Sequence, residues 1–203
     1  MKKKALIIAG ILVVVVAAGV VLYLVIKNDS TKNSNNPEAS YGSEFVSVDK
    51  NADLGTGKVV TKDQVSQAIA ASGNGVSGPE LSGVLTLGNT KSQTATYTFK
   101  MSNGKEAEVN VDARTYSSVK DMGELPFRQT EEQVIEGIGD KAKFIIADET
   151  QLLGNNETLM VIKGKTSFAI ALSQDRDEAA IDKATARDII LKVAKAARFD
   201  EVK

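Results

Sequence analysis

Residues 94–113 place the tightest constraint on what this chain can fold into. In TATYTFKM, Ala95, Tyr97, Phe99 and Met101 alternate with Thr94, Thr96, Thr98 and Lys100. After Asn103-Gly104, EAEVNVDA repeats the pattern, with Ala107, Val109 and Val111 set against Glu106, Glu108, Asn110 and Asp112. Successive side chains of a strand point to opposite faces, so each run has one apolar and one polar side. Asn-Gly suits the tight turn that joins two such strands. The spacing predicts an antiparallel hairpin with its apolar face buried. Glu106, Glu108 and Asp112 then share the other face, which reads as solvated sheet surface rather than as a row of metal-binding or catalytic carboxylates.

Flanking segments fill in the domain. Thr61 and Gln64 fit a capping box ahead of VSQAIAAS, with Gly73 past the far end, so 62–72 is expected to be helical. Residues 74–82 are rich in Gly and Ser and are expected to turn the chain into a short strand, Val84 to Leu87. TYSSVKDM suggests a short helix, broken after Pro126, and Thr130 to Gln133 offer a second capping box. KFIIA, TLMVIKG and TSFAIAL read as three strands, with turns at Asn155-Asn156 and Lys163-Gly164-Lys165. A final helix is expected from about Glu178 to Arg198, capped by Asp175 or Asp177. Its apolar stripe comprises Ile181, Ala184, Ile189, Ile190, Val193 and Ala197. The order helix, strands, irregular segment, strands, helix predicts an α+β domain, an antiparallel sheet covered by N- and C-terminal helices.

The N-terminus sets location. Lys2, Lys3 and Lys4 precede an unbroken apolar run from Ala5 to Ile26, closed by Lys27. At ~1.5 Å per residue a helix over this run spans the ~30 Å hydrocarbon core. A cleavable signal peptide carries a shorter core of ~7–15 residues and a polar cleavage region. Here Ala17-Ala18-Gly19 is followed by more apolar sequence, VVLYLVI, so an uncleaved anchor is expected. The lysines hold the N-terminus in the cytoplasm. The expected layout is a basic cytoplasmic tail at 1–4, a single transmembrane helix at 5–26, a flexible linker at 27–57 and an extracytoplasmic domain at 58–203. The linker, rich in Asn, Ser, Gly and Asp, offers too little apolar surface to offset the entropy of ordering it.

Composition removes whole classes of chemistry. The 203 residues contain no His and no Cys. There is then no thiol nucleophile, no imidazole base, no thiolate metal site and no disulfide. A formal net charge of -1 gives no footprint for nucleic acid.

The stretch VIEGIGDKAKF, 134–144, invites a phosphate-binding reading. A P-loop needs G-x-x-x-x-G-K-[ST], and a dinucleotide fingerprint needs a third Gly where Ala142 stands. A helix-hairpin-helix needs helices on both sides, whereas KFIIA reads as a strand. We therefore expect a corner: Gly137 and Gly139 supply backbone freedom, Asp140 bonds local N–H groups, and Ala142 and Phe144 enter the core. Val-x-Gly-Ile-Gly-Asp-x-Ala, together with the Thr61–Ile69 helix, the hairpin at 94–113, strands near 159–172 and a closing helix ending at Arg198, resembles a family of small actinobacterial-type extracytoplasmic lipoproteins of unknown function. The chain departs from that plan in having an apolar anchor helix in place of a lipid-bearing Cys, and no Cys pair in the domain. The resemblance implies an extracytoplasmic bacterial protein and no particular reaction.

Residues 49–63 resemble a calcium loop, with Asp49, Asn51 and Asp53 at alternate positions. Leu54 stands where Gly is needed and Val60 where a bidentate Glu is needed, so a polar linker is the expectation. Ser, Lys and carboxylates occur without G-x-S-x-G or S-x-x-K. The functional expectation is a non-enzymatic binding or interaction module of the cell envelope, anchored in the membrane and needing no cofactor. Its partner would be an envelope protein or a cell-wall component, and nucleic acid is not expected. A cell-envelope hydrolase is the alternative, and a calcium-dependent binding module the second. Arg114, Tyr116 and Arg128 fall in the least regular segment, where binding residues are often carried.

Overall fold

The computed structural model describes residues 46–146, 157–175 and 177–202. The expected membrane anchor at 5–26 and the turn at Asn155-Asn156 lie outside them. Among the described residues no helix is long and apolar enough to cross a membrane.

The hairpin anchors everything else. Strand β4 (Thr90–Met101) and strand β5 (Glu106–Thr115) pair antiparallel, with Phe99 opposite Ala107 and Tyr97 opposite Val109. Gly104 adopts φ 79°, and the Asn103 side chain accepts from Lys105 N–H at 3.0 Å, which closes the turn. Ala95, Tyr97, Phe99, Met101, Ala107, Val109 and Val111 are all buried. The buried Tyr97 hydroxyl donates to the Val60 carbonyl, and burial pushes its phenol up to about 12.

The remaining strands are β1 (Val46–Asp49), β2 (Gly73–Leu81), β3 (Val84–Leu87), β6 (Lys141–Phe144), β7 (Glu157–Lys163) and β8 (Thr166–Gln174). All pair antiparallel in one sheet of order β1-β3-β4-β5-β8-β7-β6. Strand β4 is long enough to share one edge between β3 at its start and β2 further on. Strands β8 and β7 lie between β5 and β6. The chain leaving β5 therefore crosses three inter-strand spacings, about 14 Å, before entering β6, and residues 116–140 make that crossing.

Four helices accompany the sheet: α1 (Thr56–Val59), α2 (Lys62–Ile69), α3 (Val119–Met122) and α4 (Lys183–Ala196). The chain is thus α+β. Helix α2 carries the expected capping box: Gln64 N–H donates to Thr61 Oγ1 at 3.3 Å, and Thr61 N–H donates to Gln64 Oε1 at 2.7 Å. Gln64 Nε2 also donates to Ala196 O at 2.8 Å, tying α2 to the end of α4. Val65, Ala68 and Ile69 of α2 and Ala186, Ile189, Ile190, Val193 and Ala194 of α4 join the inward hairpin residues in one core.

Five local expectations need correction. Residues 46–57, expected to be linker, are structured: β1 pairs with β3, Leu54 and Thr56 are buried, and α1 begins at Thr56. The hold is polar, which is why apolar content understated it. The buried Gln93 amide accepts from Leu54 N–H at 3.0 Å and donates to Ser82 O at 3.1 Å. Helix α2 stops at Ile69 rather than at 72. Residues 73–81 are a strand and not a turn. The pairing with β4 shifts register twice, and a Cβ on Gly78, at φ 97°, would sit 2.5 Å from Thr96 O. Glycine there lets the two backbones approach. No helix follows the Thr130–Gln133 pattern, because Glu131 N–H is taken by Phe144 O at 2.8 Å. Finally, α4 starts at Lys183 under Asp182, whose Oδ1 accepts from Thr185 N–H at 2.9 Å. Gln174 explains the delay: its Oε1 accepts from both Ala180 and Ile181 N–H at 3.1 Å, holding them out of a helix. Ala184 is then exposed and Ala186 takes its place in the stripe.

Candidate functional site: the uncovered face of the sheet

Helices α2 and α4 pack on one face of the sheet. Register assigns the other face. Burial of Ala95, Tyr97 and Phe99 turns Thr94, Thr96 and Thr98 outward, and pairing brings Glu108, Asn110 and Asp112 of β5 beside them. On the far side of β5, Ser173, Ala171 and Ala169 of β8 stand opposite Glu108, Asn110 and Asp112. Small side chains thus flank a polar row along the central strands, all half-exposed except the buried Thr94. At the β6 edge of this face Lys141 meets the 3-10 turn Leu125–Phe127, its Nζ lying 4.6 Å from the Phe127 ring centre and 3.9 Å from Glu124.

Cross-strand hydrogen bonds order the row. Thr94 Oγ1 donates to Asp112 Oδ1 at 3.0 Å, and Thr96 Oγ1 donates to Asn110 Oδ1 at 2.8 Å. Asn110 Nδ2 reaches Glu108 Oε2 at 3.5 Å. Burial pushes the Asp112 carboxyl up, against the pull of Arg114 and Thr94. Burial also raises Glu108, assisted by the charges of Glu80 and Glu106 and opposed by Asn110. The face is polar, partly desolvated and weighted toward negative charge, with Arg114 at one end.

The structure places the three sequence-selected residues differently. Arg114 lies on this face, opposite Ser92 on β4 and Ser167 on β8. Tyr116 is buried just past β5, its N–H donating to Lys165 O at 3.0 Å. Arg128 is exposed after the 3-10 turn. No hydrogen bond or ion pair joins the three.

The glycine pair at 137–139 turns a corner. Gly137 and Gly139 adopt φ 76° and 57°, and a Cβ on Gly139 would stand 2.5 Å from Ile162 O. Asp140 accepts from Gly164 N–H at 2.7 Å and from Lys163 Nζ at 3.3 Å, and its N–H donates to Ile162 O at 2.7 Å. The Gly164 N–H, with help from Lys163, holds the Asp140 carboxyl below its ordinary range. Ala142 and Phe144 are buried, as the turn reading requires. Two clefts of about 600 and 380 Å³ flank this corner and share Lys163, Phe199 and Asp200. Their charges largely cancel, Lys163 against Asp140 and Arg198 against Glu201 at 3.7 Å.

In the calcium-like loop the carboxylates serve the backbone. Asp49 Oδ1 accepts from Asn51 and Ala52 N–H at 2.8 and 3.2 Å, and Asp53 Oδ1 accepts from Gly55 N–H at 2.7 Å. Among the described residues no group of three or more carboxylates is arranged to hold a metal. The sequence reading also missed Arg187, which joins two distant glutamates: its Nε donates to Glu157 Oε2 at 2.7 Å, and its Nη atoms donate to the Glu131 carboxylate at 3.2 and 2.5 Å. No local pattern announces it, since Glu131 and Arg187 are far apart in sequence. No family model, curated protein or solved structure matches the chain.

Proposed function

We propose that this chain is a single-pass membrane protein of the bacterial cell envelope. Its N-terminus is cytoplasmic, and its extracytoplasmic domain is a non-enzymatic module that binds an envelope protein through the uncovered sheet face. Lys2–Lys4 and the apolar run 5–26 support the anchor and its orientation. The resemblance to small extracytoplasmic lipoproteins supports the same side of the membrane. The observation that carries the binding reading is the face itself: one side of an ordered sheet, lined by Thr96, Thr98, Asn110, Ala169 and Ala171, with no helix packed over it. Small polar and Ala side chains lose little rotamer entropy when covered, and a rigid sheet needs no reorganisation to dock. The tether keeps the domain at a high effective concentration near membrane-bound partners.

Protease added to intact spheroplasts should release the domain; complete protection would sink the topology. Crosslinking in intact cells, followed by mass spectrometry, should give one abundant protein partner. Ala171→Arg, on the open face, should abolish that crosslink without changing the melting temperature. A crosslink that survives the substitution would place binding elsewhere. Capture of cell-wall fragments in place of a protein would replace the partner class.

A further inference from the structure

Strand β6 is the outermost strand at its end of the sheet, and a segment with no regular structure closes its open edge. Glu131 N–H donates to Phe144 O and Ile135 N–H donates to Ala142 O, both at 2.8 Å. Ile146 N–H donates to Gln129 O at 2.8 Å, and Thr130 forms a single bridge with Ile145. These bonds satisfy the row of groups that an edge strand otherwise presents to any passing chain. The cover is thinly held otherwise. Glu132, Gln133, Val134 and Glu136 are exposed, and Ile135 is only partly buried against the core.

One side chain compensates. Arg187 of α4 presents its two Nη atoms to the Glu131 carboxylate in a bidentate fork. The guanidinium is pre-oriented from behind. Its Nε donates to the buried Glu157, and it lies 4.3 Å from the centre of the Phe144 ring. Lys183 adds a second cation 3.6 Å from Glu157. The Arg187 side is therefore fixed to helix and sheet, and Glu131 is the group carried by the cover. A planar, pre-organised guanidinium spends little entropy on each bond it makes.

We propose that residues 129–136 form a detachable strap over the β6 edge, latched by the Arg187–Glu131 fork and able to open while the sheet stays folded. Opening frees the carbonyls of Ala142 and Phe144 and the N–H of Ile146. All three lie at a sheet edge, where water can replace the lost bonds. None of the buried hairpin residues moves. The open state presents a short unpaired strand, Lys141–Phe144, that the closed state hides. Local opening of this kind, below the free energy of global unfolding, is a general property of thinly packed segments.

Hydrogen exchange of the full chain in detergent micelles tests this. Glu131→Gln keeps the shape and removes the charge. It should speed exchange of the backbone amides at positions 131 and 135 by about tenfold, with the amides of β5 and β8 unchanged. Raising salt to 1 M on the unaltered chain should shift the same two amides in the same direction, because the pair is partly exposed and screened. This second measurement does not depend on a variant folding. Unchanged exchange at 131 and 135 in both experiments overturns the latch. An equal rise across β5 and β8 also overturns it, since the segment would then open only when the sheet does.

Discussion

The corner at Gly139 can be tested with a matched pair of substitutions. Gly137 and Gly139 both sit at positive φ, but only Gly139 is crowded. A Cβ there would meet Ile162 O at 2.5 Å and Val161 Cγ1 at 2.6 Å, whereas nothing lies within 4 Å of one at Gly137. Gly137→Ala should therefore cost only the left-handed penalty of about 1 kcal/mol. Gly139→Ala incurs the same penalty and must also displace a backbone carbonyl. That carbonyl accepts the Asp140 N–H at 2.7 Å, so moving it weakens a bond worth about 1 kcal/mol. Overpacking against Val161, which is fully buried, adds about 1–2 kcal/mol. The expected total is about 3–4 kcal/mol, a large share of the ~5–15 kcal/mol typical of a domain. Urea denaturation of the compact unit Ser43–Lys203 should show a modest fall in midpoint for Gly137→Ala and a fall about three times larger for Gly139→Ala, at constant slope. Equal falls would refute the close-approach argument and leave only a backbone preference. Neither substitution bears on a ligand in this reading. Inorganic phosphate bound by the fragment, and lost on Lys141→Ala, would reopen the phosphate alternative.

Three further outcomes follow from the geometry. Ile190→Asp places an unpaired carboxylate in the fully buried stripe of α4 and should cost at least about 4 kcal/mol; an unchanged melting temperature would remove this stripe from the core. Thr61→Ala breaks the capping box of α2 and should cost about 1 kcal/mol, read as a small shift in the urea midpoint; no shift would show that Gln64 alone holds the helix start. Glu108 and Asp112 carry raised carboxyl pKa values, so between the ordinary carboxylate range and those raised values the folded state holds more protons than the unfolded one. Stability should rise as pH falls from 7 into that window, and Asp112→Asn should flatten the rise. Further acidification reverses the sign, because Asp140 and Glu131 are depressed and their contribution is lost as they protonate; a monotonic fall from pH 7 would contradict the raised pair.

Where burial alternates along the chain, the fold was readable. The hairpin register, strand β3 and the buried residues of β4 and β5 follow from a period of two, because a one-residue slip would expose every inward side chain. The capping box at Thr61 was equally local. Errors arose where a distant polar group overrode a local pattern. Gln93 recruits Leu54 from 39 residues away and makes domain out of apparent linker. Gln174 holds Ala180 and Ile181 extended, so the helix waits for Asp182 although the preceding residues suit it. Thr130 and Gln133 have the letters of a capping box, but the β6 edge competes for Glu131 N–H and wins. Each is a single buried amide or edge carbonyl, with no periodicity to betray it.

The candidate site was legible in its residues and not in its exposure. Glu106, Glu108 and Asp112 could be assigned to one polar face from alternation alone. Whether anything covers that face depends on strand order, which alternation does not encode. The order puts β8 and β7 between β5 and β6, so the irregular segment after Thr115 has to cross to the far edge. It ends bonded along β6 rather than lying over the centre of β5 and β8. Residues selected for their irregular surroundings are then dispersed by that crossing. Tyr116 is buried where it begins, Arg128 stands exposed further on, and only Arg114, still in the strand, keeps a place on the open face. A binding residue here is better sought by its register on β4, β5 and β8 than by its position in a loop. The polar row of Thr96, Asn110 and Asp112, set beside Ala169 and Ala171, meets that criterion, and two members of the Arg114, Tyr116 and Arg128 set do not.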